Sequence, residues 1–370
     1  MRYYIIAGEA SGDMHAANLV KAILRQDPQA QFKGIGGDQM RTAGVHLSRH
    51  YRDTAYMGFV EVFMHLRAIL GHIQFCKKDI ADWHPNVVIL VDYPGFNLRI
   101  APFAKHLGCK VCYYISPQLW AWKSGRVEII RKYVDKMLVI LPFEEAFYQQ
   151  HQYPVTFVGH PLLDAIDAYQ ADPDFLVRNN LKAKPYIALL PGSRKQEIAV
   201  KLPVMLSMVP HFPEYDFVVA CAPGQEMSYY RQFARNKNVY FISGATYDIL
   251  KHAHSALVTS GTATLETALF RVPQIVCYKG NPISYWIAKR LVHIKYISLV
   301  NLIADKSIVP ELIQHDFNKI TLLKHMQQTL NNVHYRTEIQ RAYTILHDQL
   351  GGSGASARAA REIHEWMMTA

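Results

Sequence analysis

The 370-residue chain has little cysteine: five residues, an odd number with no framework spacing. That fits reduced thiols and excludes a disulfide scaffold. Cys109 and Cys112 form a lone C-x-x-C inside an apolar, strand-like run, without the second pair that would complete the four ligands of a structural zinc site. The 18 histidines are scattered and show no H-E-x-x-H spacing, so no metal site is assigned. No apolar run reaches the ~20 residues needed to span a bilayer. The run Tyr3–Ala7 passes straight into a glycine-containing turn, without the long apolar region and cleavage site of a signal peptide, and the expected location is the cytosol. The dinucleotide fingerprint G-x-G-x-x-G is missing, which argues against a nicotinamide oxidoreductase. Acidic residues are outnumbered, 30 Asp and Glu against 40 Lys and Arg, for a net charge of +10. That balance draws anions: phosphorylated substrates, nucleic acid or an acidic membrane face. No RNP, zinc-finger or helix-turn-helix signature accompanies it, so no nucleic-acid partner is expected.

What the chain does have is length and regular alternation. With 50% hydrophobic residues over 370 positions, it exceeds one ordinary core and predicts two domains. A first series of strand-like runs comprises Tyr3–Ala7, Phe32–Ile35, Val87–Val91, Lys110–Ile115, Lys136–Leu141 and Val155–Val158. A second comprises Tyr186–Leu190, Asp216–Cys221, Asn238–Ile242, Ala256–Thr259 and Gln274–Tyr278. Helical patterns separate the strands, and glycine-containing turns follow many of them. The mixed stretch Leu162–Pro185 is the connection. The prediction is an α/β protein of two doubly wound, Rossmann-like domains, 1–165 and 180–350, facing across a cleft suited to a donor on one side and an acceptor on the other. Ser298–Asp305 reads as a loop carrying one conspicuous amide, Asn301. Glu311 and Gln314 follow Pro310 at a helix start, and the chain is helical to His347. Gly351–Gly354 reads as a flexible joint before a last amphipathic helix, with segment 355–370 able to pack back on the first domain.

Candidate chemistry lies at the carboxyl ends of the strands. After Ala256–Thr259, a small-residue turn opens a helix near Thr262. Its unpaired peptide N–H groups and the helix dipole make an anion site. Ser260, Thr262 and Thr264 add hydroxyl donors, and Glu266 is an acceptor for ribose hydroxyls; an ordinary capped strand-to-helix turn is the alternative. After Tyr186–Leu190, Gly192 admits a close ligand, Ser193 donates, and Arg194 can grip phosphate oxygens in a fork, or the stretch is a basic surface loop. In the first half, Gly8-Glu9-Ala10-Ser11-Gly12-Asp13 precedes a helix from about Met14. Glu9 sits in a tight turn, and Asp13 either joins it or favours the helix N-terminus. Asp92 ends the run Val87–Val91. A carboxylate backed by a low-dielectric sheet there can act as a general base of raised pKa, or it caps the next turn. Trp120 and Trp122, beside a Ser-Pro turn, form a substrate wall or simple packing. Between Met57 and Trp83, apolar residues from Phe59 to Ile73 follow the helical period, which describes either a core-facing helix or a greasy one with basic flanks touching a membrane.

Taken together, Gly8-Glu9-Ala10-Ser11-Gly12-Asp13, Met57-Gly58-Phe59-Val60-Glu61-Val62, Asp92-Tyr93-Pro94-Gly95-Phe96-Asn97, Ser116-Pro117-Gln118-Leu119-Trp120-Ala121-Trp122, Pro191-Gly192-Ser193-Arg194, Ser260-Gly261-Thr262-Ala263-Thr264-Leu265-Glu266 and Ser298-Leu299-Val300-Asn301-Leu302 resemble the lipid-A-disaccharide synthase family. These are inverting nucleotide-sugar glycosyltransferases of the two-domain GT-B type, and the motifs occur in the family's order over residues 8 to 302. Tyr93 and Gly95 occupy variable motif positions, and the tail after Gly351 has no diagnostic match. The resemblance implies that UDP-2,3-diacylglucosamine and 2,3-diacylglucosamine 1-phosphate give lipid A disaccharide 1-phosphate and UDP, with no metal or other cofactor. It carries Asp92 over as base on the acceptor 6-hydroxyl, with Glu9 an acceptor-side carboxylate and Asn301 a third catalytic-site residue. Arg194, Gly192, Ser193 and the turn Ser260, Gly261 and Thr262 fall to the donor diphosphate, with Glu266, Ser11, Trp120 and Glu311 as further substrate contacts. It implies an acceptor- and membrane-side first domain and a UDP-sugar-binding second. The partners are then the UDP-sugar donor, the acylated sugar phosphate acceptor and an anionic membrane surface met by the Val60–Ile73 helix, on the inner face of the inner membrane. A homodimer is left open. The rivals are another UDP-sugar enzyme of this fold, an epimerase or muramyl-pathway transferase, and a non-enzymatic nucleotide- or RNA-binding protein.

Overall fold

A computed structural model describes residues 1–53, 66–120, 124–181, 184–222, 224–234, 239–281, 285 and 295–369. The chain forms two compact units, Met1–Asp167 with Leu350–Ala370, and Ala168–Gln349.

The first unit is built on β1 (Arg2–Ala7), β2 (Gln31–Gly36), β3 (His46–His50), β4 (Val87–Val91), β5 (Lys110–Tyr114), β6 (Lys136–Val139) and β7 (Thr156–Phe157). They form one parallel sheet in the order β3-β2-β1-β4-β5-β6-β7. Side chains alternate faces along a strand, and here both faces are covered, which explains the continuous apolar runs. Tyr4, Ile6, Val88, Leu90, Val111 and Tyr113 share a core with Ile73, Cys76 and Ile80 of the helix Leu66–Trp83 and with Ile100, Ala101 and Ala104 of Pro94–His106. The other parity, Tyr3, Ile5, Ile89 and Cys112, is equally buried. The helices Ala10–Gln26 and Ala355–Met368 pack against each other in this unit.

The second unit repeats the plan with β8 (Tyr186–Leu190), β9 (Asp216–Cys221), β10 (Val239–Ser243), β11 (Ser255–Thr259), β12 (Gln274–Tyr278) and β13 (Glu311–Ile313), parallel in the order β10-β9-β8-β11-β12-β13. Ile187, Leu189, Phe217, Val219 and Leu257 face the helices Lys195–Leu206 and Lys319–Asn331. Ala188, Leu190, Val218 and Val258 face Thr246–His252 on the other side.

In each sheet the chain winds outward in one direction and then returns to continue in the other. The reversals fall between β1 and β4 and between β8 and β11, and crevices form at the carboxyl ends of such strand pairs.

Four local expectations need correction. β3 was not anticipated, because His-Leu-Ser-Arg-His offers a single apolar residue. Glu311–Ile313 is a short strand rather than a helix start; Pro310 precedes it, where its missing N–H costs no ladder bond. Ser298–Asp305 is no loop: Leu299–Ala304 is helical, and Ser298 caps it by accepting from the Asn301 N–H. The joint Gly351–Gly354 is tied down. The Asp164 carboxylate accepts from the N–H groups of Gly354 (2.6 Å), Ala355 (3.1 Å) and Ser356 (2.7 Å). Arg358 donates to the carbonyls of Val158, Gly351, Gly352 and Ser353.

Of the expected membrane-touching segment, residues 60–65 lie outside the described residues. At its far end Ile73 is buried in the core and unavailable to a membrane, while Leu70 is 54% exposed. No helix among the described residues is long and apolar enough to cross a membrane. The three bonds at Asp164 make a charged cap for the last helix. Asp164→Ala is expected to lower stability by about 2 kcal/mol, read from the midpoint of urea unfolding.

Candidate active site

At the first reversal, Ala7 of β1 stands opposite Val91 of β4, so Gly8-Glu9 and Asp92 leave the sheet side by side. The helix after β1 starts earlier than its sequence suggests, at Ala10, and Glu9 is its N-cap residue rather than part of an open turn. Ser11 donates to Glu9 Oε1 at 3.2 Å. Asp13 belongs elsewhere. It is buried and accepts from the N–H groups of Gly37, Gln39 and Met40, so it caps the helix Asp38–Thr42 instead of its own.

Asp92 and Tyr93 both adopt left-handed backbone, φ 44° and 47°, which costs a non-glycine residue about 1–2 kcal/mol each. Hydrogen bonds hold them there. The Asp92 carbonyl accepts from the Tyr113 hydroxyl at 2.6 Å and from Asn97 Nδ2 at 2.7 Å. The Asp92 N–H donates to Tyr114 O at 3.1 Å. The Tyr93 ring lies against Gly8, where any Cβ would meet ring carbons at 2.3 Å. Residue 8 therefore has to be glycine for this turn to close. Asp92 is half-buried, and its desolvated carboxyl group is pushed up to about 7. Loss of hydration is the larger cause and the like charge of Glu9 the second. Trp120 lies in the turn beyond β5, edge-on to Phe143 with centroids 5.0 Å apart. Its indole borders Glu144, a buried carboxyl group that desolvation raises to about 7 although it accepts from the N–H groups of Ile140 and Leu141. Ala121, Trp122 and Lys123 lie outside the described residues.

At the second reversal, Leu190 of β8 stands opposite Val258 of β11. This register brings Gly192-Ser193-Arg194 and Ser260-Gly261-Thr262 to the same end of two neighbouring strands. Gly192 has φ 114° and lies close against Glu197. Ser193 and Arg194 are exposed, and the Arg194 guanidinium stands 3.6 Å from Glu197. Gly261 precedes the helix Thr262–Leu269 at φ 145°, a conformation closed to residues with a Cβ, and both Gly261 and Thr262 are exposed. Glu266 accepts from the Tyr247 hydroxyl at 3.2 Å, and desolvation raises its pKa.

Several expected donors are already committed. Ser260 Oγ donates to Ile297 O at 2.8 Å, and Thr264 Oγ1 to Gly261 O at 2.8 Å. Asn301 is fully buried with all of its amide used. Nδ2 donates to Val309 O and Glu311 Oε1, and Oδ1 accepts from the N–H groups of Ile308 and Val309. Glu311 in turn accepts from Ile297 N, Ser298 N and Ser298 Oγ. Among the described residues the Asn301 amide is fully committed, while Glu311 takes three donors on Oε1 and one on Oε2. Together they clasp the segment whose Ile297 carbonyl accepts from Ser260 Oγ.

Lys201, missed from the sequence, is buried behind the same turn and donates to Thr259 Oγ1. The signal was available: within Lys195–Leu206, Lys201 occupies the apolar stripe of Ile198, Leu202 and Met205. Among the described residues, no group of three or more His, Cys, Asp or Glu side chains is placed to hold a metal ion.

A family model described as Lipid-A-disaccharide synthetase matches residues 3–363. The chain belongs to the lipid-A-disaccharide synthase family. A lipid-A-disaccharide synthase from Syntrophus aciditrophicus is 44% identical over 364 residues, covering 96% of this chain and 95% of its own. Among solved structures, a putative UDP-N-acetylglucosamine 2-epimerase from Listeria monocytogenes superposes with a TM-score of 0.68 at 12% identity, covering 100% of this chain and 97% of its own. The calicheamicin glycosyltransferase gives 0.62 at 15% identity, covering 99% and 98%. These likenesses establish the GT-B fold and do not separate transferase from epimerase; the family does, in favour of the synthase. Removing the clasp amide takes the acceptor from the Val309 N–H, leaves the Ile308 N–H with Lys306 O alone, and takes a donor from Val309 O and from Glu311. Asn301→Ala should cost about 3 kcal/mol, measured as a shift in the chemical denaturation midpoint.

Proposed function

We propose that Asp92 is the general base of this enzyme and that the turns after β8 and β11 bind the diphosphate of its sugar nucleotide. As a lipid-A-disaccharide synthase, the protein is a glycosyltransferase of lipid A biosynthesis. The donor is UDP-2,3-diacylglucosamine and the acceptor 2,3-diacylglucosamine 1-phosphate. Asp92 takes the proton of the acceptor 6-hydroxyl as that oxygen attacks C1 of the donor sugar. The bond from C1 to the diphosphate oxygen breaks, its electron pair leaves with UDP, and the anomeric carbon inverts in one displacement. Arg194, Ser193 and the peptide N–H groups at Gly261 and Thr262 meet the negative charge that UDP gains as it leaves, where such donors act most strongly. Glu266 accepts from the ribose hydroxyls. Glu9, with Ser11, faces the acceptor and sharpens the base by repelling its negative charge.

The observation that carries this assignment is the raised proton affinity of Asp92, produced by burial and by Glu9 at the reversal of the first sheet. A carboxylate at an ordinary pKa would draw a hydroxyl proton less strongly. Both substrates are acylated, so the enzyme works at a lipid surface. The net charge of +10 and the segment around Val60–Ile73, through its outward residues such as Leu70, suit the anionic inner face of the inner membrane.

Asp92→Ala should lower turnover by roughly a thousandfold and leave UDP affinity unchanged. Arg194→Ala should weaken UDP by about tenfold or more. Steady-state assay and calorimetry separate the two. Asp92 must be ionised to act, so kcat/KM should fall as pH drops through about 7. Glu9→Gln removes the like charge and should move that acid limb to lower pH. An acid limb unchanged in Glu9→Gln would remove the proposed coupling.

A further inference from the structure

The helix Lys195–Leu206 turns one cation into the protein. Lys201 is 3% exposed. Its ammonium donates to Thr259 Oγ1 and stands 5.9 Å from the centroid of the Tyr278 ring. The charged and titratable groups facing it are Glu197 and Arg194 near the start of its own helix, and Cys277 and Tyr278 from β12. Among the described residues no carboxylate reaches ion-pairing distance; the Glu197 carboxylate is instead 3.6 Å from Arg194. An ammonium taken out of water without a counter-ion costs several kcal/mol, and an apolar side chain of similar length would serve stability as well or better. Thr259 is the last residue of β11, directly before Ser260-Gly261-Thr262. This charge, with no ion-pair partner among the described residues and only the more distant Glu197 of opposite sign, therefore lies immediately behind the proposed anion-binding turn.

We infer that Lys201 is a positioning residue for the donor diphosphate, acting through Thr259 and the Ser260–Thr262 turn as a buried positive charge whose counter-ion arrives with the substrate. The inference rests on the donor-site assignment above and adds a second cation to it. Desolvation holds Lys201 below the usual lysine range. A bound diphosphate opposes that effect, so UDP binding draws a proton onto Lys201 in the alkaline range where the free enzyme has begun to lose it.

The test is calorimetric titration of the intact protein with UDP and with uridine, for wild type, Lys201→Met and Arg194→Ala, at about pH 7.5 and about pH 9.5, in buffers of different ionisation enthalpy. Lys201→Met keeps the length and removes the charge, and should fold at least as stably. It should bind UDP about tenfold more weakly and uridine within about twofold of wild type. Wild type should take up protons with UDP at the higher pH, and the variant should not. Wild-type UDP affinity in Lys201→Met, or equal losses for UDP and uridine, overturns the inference. So does an absence of proton uptake in wild type, a measurement that stands even if the variant misfolds. If Arg194→Ala weakens UDP while Lys201→Met does not, only the role of Lys201 falls. If wild type does not bind UDP, the donor-site assignment falls with it.

Discussion

Each sheet reverses its winding once, and at a reversal the connections from two adjacent parallel strands leave toward opposite faces. The chemistry of both units is built at that point. Because register sets which residues emerge together, Ala7 opposite Val91 delivers Glu9 beside Asp92, and Leu190 opposite Val258 delivers Arg194 and Gly261 to one end of the sheet. The same backbone plan thus yields two sites of opposite electrical character. In the first unit two carboxylates repel each other; in the second, a guanidinium and a buried ammonium lie at the strand end where the proposed anion site is placed. A glycosyl transfer needs both, since a proton is lost on the acceptor side while negative charge accumulates on the leaving group.

Holding Asp92 in place draws on the core as well as on the loop. Its left-handed backbone and that of Tyr93 are unfavourable by themselves. The compensating donor is the Tyr113 hydroxyl, at the tip of a side chain otherwise packed in the main hydrophobic cluster of the first unit. The ring is fixed by its neighbours on β5, and the phenol reaches out of the core to the carbonyl of the candidate base. Asn97, one helical turn along, supplies the second donor. A residue that looks like ordinary core thereby holds the backbone of the proposed base, so on that proposal packing and activity are linked at this position.

Much of this was legible where the physics is local. Val87–Val91, Tyr186–Leu190 and Gln274–Tyr278 are strands buried on both faces, and unbroken apolar runs of that length have few other uses. The turns that follow them carry small residues and charges that stand out against such runs. What escaped was decided by partners distant in sequence. Asp13 looked like a charge for its own helix and instead caps one that begins 25 residues later, at Asp38. Asn301 looked like a free amide on a loop because its partners, Val309 and Glu311, approach only once β13 has joined the sheet edge. β3 and β13 are outermost strands, the one with a single apolar residue and the other only three residues long, and at an edge pairing is set by the neighbour already in place rather than by the strand's own pattern.

Desolvation acts in opposite senses at the two sites. It raises Asp92 and lowers Lys201, so each charged form is less favourable than it would be in water. In the proposed mechanism each imbalance is relieved by a step of the reaction. The carboxylate gains by accepting the acceptor's proton, and the ammonium gains by meeting the donor's phosphates. The proposed working forms, Asp92 ionised and Lys201 protonated, coexist only above the raised carboxyl pKa and below the lowered amine one. On that proposal burial narrows the pH range of activity from both ends while strengthening the base and the anion site within it. Relaxing either environment widens the range and weakens the corresponding step, because one loss of hydration produces both effects.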